Sequence, residues 1–150
     1  MKFILISILC VSALFANIKV GETLPSFKLV DQFDEKVEVE TKGDTILIFS
    51  FQKDVSSEIK KYIDGKEKTF LEDNNIVYIS DISSMPSFIT SWFALPKMKK
   101  FAFKIALIYD EEVGDVVPRK EDKVTVLKLS DNSVTSINFV KAKELDTLLK

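Results

Sequence analysis

Apolar residues fall along this chain in blocks whose period changes from block to block. The first block, Phe3 to Phe15, is broken only by Ser7, Cys10 and Ser12, follows Met1-Lys2 and ends at Ala16 and polar Asn17. That is the layout of a secretory signal peptide spanning residues 1–16. A membrane anchor would need about 20 apolar residues, and Lys19 with Gly21-Glu22 ends the run too soon. Phe27 to Val30 and Val37 to Val39 flank a polar stretch from Asp31 to Lys36 and predict a hairpin. Thr45 to Phe51 is β-branched, aromatic and nearly continuous in apolar character, which predicts a central strand buried on both faces. The period then becomes helical at Val55, Ile59, Tyr62 and Ile63, with Asp54 placed to cap the first turn and an end near Asp64-Gly65.

A second helical piece is predicted over Glu67 to Leu71, and a buried strand over Ile76 to Ile79, completing a βαβ unit with parallel strands. Pro86 and Pro96 bracket a helix predicted to start near the first proline and break at the second. Phe88 and Trp92 share a face of it and are expected to be core, with a groove beside the preceding helix as the alternative for Trp92. Phe103 to Tyr109 is a third apolar run. Val124 to Leu129 and Val134 to Val140 form two strands joined by the short polar turn Ser130 to Ser133. Lys143 to Leu149 closes as a short helix with Leu145, Leu148 and Leu149 on its apolar side. No repeat or linker divides residues 17–150, so one domain is expected there.

Composition narrows the chemistry. Cys10 is the sole cysteine, inside the predicted leader, and histidine is absent. Removal of residues 1–16 leaves 134 residues with a formal charge of −3, no thiol and no imidazole. No basic stripe recruits nucleic acid or an anionic membrane, and metal sites built on cysteine or histidine are excluded. Leu9 is bulky where a lipid-modified cysteine would be preceded by a small residue. Phosphate-loop, dinucleotide and zinc-hydrolase motifs are missing, and no cofactor is expected.

Val20-Gly21-Glu22-Thr23-Leu24-Pro25-Ser26-Phe27-Lys28-Leu29-Val30-Asp31 resembles the entry segment of peroxiredoxins and of periplasmic thiol-disulfide oxidoreductases. Lys123 to Val134 is similar to their late hairpin, with Asn132-Ser133 where glycine is usual, and this portion also resembles the small exported proteins of the YtfJ family. The resemblance implies an α/β fold of the thioredoxin type: a three-layer α/β/α sandwich with a mixed central sheet and an N-terminal β-hairpin extension. It also implies a periplasmic location in a Gram-negative envelope. Redox members carry cysteine after the first central strand, where helix amides stabilise a thiolate. Here that stretch reads Gln52-Lys53-Asp54-Val55-Ser56-Ser57-Glu58. A serine hydroxyl cannot form a mixed disulfide, so redox activity does not carry over.

The expectation is therefore a binding or accessory module for an envelope protein or peptide, with its site at Asp54, Val55, Ser56 and Ser57 and the loop of Pro118 and Arg119. Pro118 corresponds to the family's cis-proline or, on the preferred reading, is an ordinary loop proline. Two alternatives remain: a thiol-independent enzyme using Ser57 and Lys60, which fit an S-x-x-K pattern, or a peroxiredoxin-like redox protein that retains Cys10. The balance is against catalysis. Asp110-Glu111-Glu112 with Asp115 reads as a solvated acidic turn rather than a calcium loop. Lys97, Lys99, Lys100 and Lys104 read as gatekeepers on the approach to a strand, or else as an amphipathic surface.

Overall fold

A computed structural model describes residues 17–39 and 42–149. The predicted leader, with Cys10, lies outside the described residues. Seven strands form one mixed sheet: β1 (Leu29–Asp31), β2 (Lys36–Val37), β3 (Asp44–Ser50), β4 (Ile76–Asp81), β5 (Ala106–Ile108), β6 (Val124–Ser130) and β7 (Ser133–Val140). Their order is β2-β1-β5-β4-β3-β6-β7. β3, β4 and β5 run parallel, and β1 and β6 pair antiparallel on either side of them.

The continuous apolar run of β3 follows from its central place. Leu47 and Phe49 face one core cluster and Ile48 faces another, and all three are fully buried. Over Ile48 the helix α1 (Lys53–Asp64) buries Val55, Ile59 and Ile63, the stripe the helical spacing predicts. A short α2 (Phe70–Asp73) and a terminal 3₁₀ helix (Ala142–Thr147) cover the same face. Over Leu47 and Phe49 lie Ile18, Leu24, Phe27 and Val39 from the N-terminal segment. Val113 and Val117 add to that layer, the former from α5 (Glu111–Asp115) and the latter just after it.

Several expectations are corrected. The run from Phe103 makes a strand only over Ala106–Ile108. Ahead of it, the buried side chain of Gln32 takes the place of a neighbouring strand: Nε2 donates to the Phe103 carbonyl at 2.8 Å and Oε1 accepts from the Ile105 amide at 2.8 Å. The closing segment winds as 3₁₀ rather than α, with Ala142 and Leu145 buried three residues apart. The helix near Pro86 does not break at Pro96. It runs through α3 (Ser87–Ile89), a π turn (Thr90–Ala94) and α4 (Leu95–Met98). In the π turn the Leu95 amide reaches back five residues to the Thr90 carbonyl. That widened turn precedes Pro96, and a proline ring is tolerated where the regular i to i−4 ladder is already opened. It also changes the helical phase: Thr90, Leu95 and Met98 turn inward, whereas Phe88 and Trp92 are exposed instead of core.

Candidate functional site

β3 and β4 end side by side, and their register sets Ser50 opposite Ser80. Both hydroxyls are buried, and Ser50 Oγ donates to Ser80 Oγ at 3.2 Å. Tyr78, also on β4, brings its phenol oxygen to 3.0 Å from Ser50 Oγ. Ser56 reaches back from the first turn of α1 and donates to Ser50 Oγ at 2.8 Å. Four hydroxyls thus stitch the strand ends to the helix. Burial pushes the Tyr78 phenol up, and its serine neighbours offset this only in part, so the group is a neutral donor and acceptor.

The residues expected at this end of the molecule separate into distinct roles. The helix is entered through Gln52, whose side chain does not cap it. Gln52 Oε1 instead accepts from the Asp122 amide at 2.7 Å, which ties the entrance of α1 to the loop after Pro118. Asp54 is not the cap: the helix begins one residue earlier, so Asp54 lies inside the first turn, where it complements the helix dipole. Val55 is buried in the core. Ser56 gives its amide to the Gln52 carbonyl and its hydroxyl to Ser50. Ser57 is exposed and back-bonds to the Lys53 carbonyl at 3.0 Å. Lys60 pairs with Asp64 and lies 4.6 Å from the Phe101 ring centroid. The S-x-x-K residues are therefore engaged elsewhere rather than with each other.

Pro118 is not preceded by a cis bond, since the described residues contain none. Its carbonyl accepts from Thr125 Oγ1 at 2.9 Å, as an ordinary loop proline's can. Arg119 is the more informative neighbour. Its guanidinium lies 4.3 Å from the centroid of Phe51, which directly follows β3, donates to Asp115 at 2.9 Å, and stands 3.9 Å from the Asp81 carboxylate. The cation thus stacks beside the start of α1. Asp81 uses its other oxygen to accept from the Ser83 amide and hydroxyl at 2.9 and 2.6 Å. Gly114 must lack a side chain here, because a Cβ would be driven into the Asp81 carboxylate. The acidic turn before it is a short helix, with Asp110 Oδ1 accepting from the Glu112 amide at 2.9 Å.

No family model and no curated protein matches the sequence. Solved structures do match. Peroxidoxin BcpB from Mycobacterium tuberculosis is 15% identical with a TM-score of 0.59, over 89% of this chain and 95% of its own. The thioredoxin domain of a thiol-disulfide oxidoreductase from Bacteroides vulgatus is 11% identical with a TM-score of 0.52, over 89% of this chain and all of its own. The chain has the thioredoxin fold. A peroxiredoxin-like protein from Aquifex aeolicus shares that fold too, at 14% identity and a TM-score of 0.54, over 89% of this chain and 87% of its own. In this thioredoxin fold the first turn of the helix that follows β3 holds Ser56, with Ser57 beside it.

Ser50, Phe51, Gln52, Tyr78, Asp81 and their contacts were not singled out by the sequence. A signal exists for two residues: Ser50 and Ser80 are the first polar residues after the apolar runs of β3 and β4, and parallel pairing sets them opposite each other. The contacts of Gln52 and Phe51 depend on a loop about 70 residues further on and have no local signature.

Proposed function

We propose that this is an exported thioredoxin-fold protein that acts by binding rather than by thiol chemistry, with residues 1–16 as a cleaved leader and residues 17–150 as the working domain. The observation that carries the reading is the hydroxyl cluster. The first turn of α1, which in a redox member would present a thiolate, instead turns Ser56 inward onto Ser50. Among the described residues there is no cysteine to replace it. A hydroxyl that donates inward to Ser50 in a partly buried hydrogen bond is neither ionised nor aimed at a substrate. Around it, Asp54, Ser57 and Arg119 are exposed and offer polar groups to an extended peptide of an envelope partner. No described helix is long and apolar enough to cross a membrane.

The test has two parts. Intact mass of the protein recovered from the periplasm is expected to show a chain beginning at Asn17 that takes no thiol label. Retained, labelled Cys10 would reopen redox chemistry. Titration of the ¹⁵N-labelled protein with reduced, carboxymethylated α-lactalbumin as an unfolded-chain probe is expected to move the amides of Asp54, Ser57 and Arg119. An unchanged spectrum, or shifts confined to other surfaces, would sink the siting.

A further inference from the structure

We propose that the outward face of α3, the π turn and α4 docks on an anionic lipid surface. Three large aromatics stand out from this helix: Phe88, Trp92 and Phe93 are 57%, 74% and 63% exposed. Single exposed apolar residues need no explanation, but three within six positions on one outward face form a patch. Lys97, Lys99 and Lys100 follow immediately, all exposed and without an ion pair among the described residues. They are not gatekeepers of a strand, since they occupy and follow α4 while β5 begins only at Ala106. Of the four lysines in this region, only Lys104 is neutralised, by Asp31 and Glu35.

Charge identifies the occupant. From Ile82 to Tyr109 there is no aspartate or glutamate, although acids outnumber bases in the whole chain. A local cationic cluster at one end of an aromatic ridge matches a bilayer interface: aromatic rings enter at headgroup depth while lysine stems reach lipid phosphates. The π turn itself carries Trp92 and Phe93, and Phe88 stands in α3 immediately before it. None of this depends on the binding site at α1, and either reading can fail alone.

Trp92 is the only tryptophan, so its fluorescence reports on this face and no other. The full chain, as recovered from expressing cells, is to be titrated with phosphatidylglycerol vesicles and with phosphatidylcholine vesicles. A blue shift of Trp92 and its quenching by brominated lipid are expected with the anionic vesicles, weakened by salt. The triple variant Lys97→Ala, Lys99→Ala, Lys100→Ala shares the same N-terminus and should bind about a hundredfold more weakly. Equal shifts on neutral vesicles, or no shift on either, would overturn the proposal. A blue shift that grows with protein concentration in the absence of lipid would overturn it in favour of a second copy of the chain, and a triple variant that binds like the parent would remove the role of charge.

Discussion

Asp31 shows how one residue organises a turn. It ends β1, is almost wholly buried, and accepts from the amides of Phe33 and Glu35 at 2.8 and 3.0 Å while Lys104 approaches its other oxygen at 3.2 Å. Burial pushes the carboxyl up, but the amides of Glu35 and Phe33 and the Lys104 ammonium outweigh it and hold it below the ordinary 3.8. A group depressed in the folded state contributes stability that is present above its unfolded pKa and is lost as pH falls through the folded one. Asp31→Ala should therefore cost about 3 kcal/mol at neutral pH, mostly from two charge-assisted bonds. The gap from the parent should narrow as pH drops below about 4. Urea unfolding from pH 7 to pH 2 checks this, and a gap that stays constant would refute it. The sequence marked Asp31 as part of a hairpin but not as its anchor, because the partner Lys104 lies 73 residues away and only the fold brings them together.

At the scale of elements, local chemistry sufficed where an element is held by its own residues. β3 and β4, the apolar stripe of α1 and the last hairpin were legible because period and turn residues agree. The turn between β6 and β7 is a two-residue loop with positive φ at both Asp131 (47°) and Asn132 (66°), so Asn132 adopts the conformation for which glycine is usual. Asn132 also donates to the Leu24 carbonyl at 3.0 Å. Asn132→Val should destabilise the protein by about 2 kcal/mol, whereas Asn132→Gly, which is free of the φ penalty, should lose only about 1 kcal/mol for the hydrogen bond. Equal losses in thermal or urea unfolding would show that backbone conformation is not the issue. Two elements were misread: the π turn that carries the chain through Pro96, which has no local sequence signature, and the short β5, whose approach is held by the distant Gln32. At the candidate site Ser56 was legible from its place after β3, whereas Ser50, Tyr78 and Ser80, which it joins, were not, because strand pairing brings them together.

For the molecule as a whole, one cysteine cannot close an intrachain disulfide, so stability rests on the two cores and the polar ties between them. The melting temperature should be the same with and without dithiothreitol, and a fall on reduction would point to a covalent partner at Cys10. The layer over Leu47 and Phe49 is the less regular of the two, for part of it is the turn-containing segment from Ile18 to Leu24. That segment is bonded to the far end of the chain: the amides of Ile18, Gly21 and Leu24 donate to the carbonyls of Val116, Val134 and Asn132. Its consequence is one of timing. Residues 18–24 leave the ribosome roughly a hundred residues ahead of the carbonyls they bond to. Contacts this far apart cannot form before the intervening chain exists, so a nascent chain keeps one face of its sheet unsealed until Val134 has been made. Until then that face stays open, and the chain remains threadable rather than locked into its final fold.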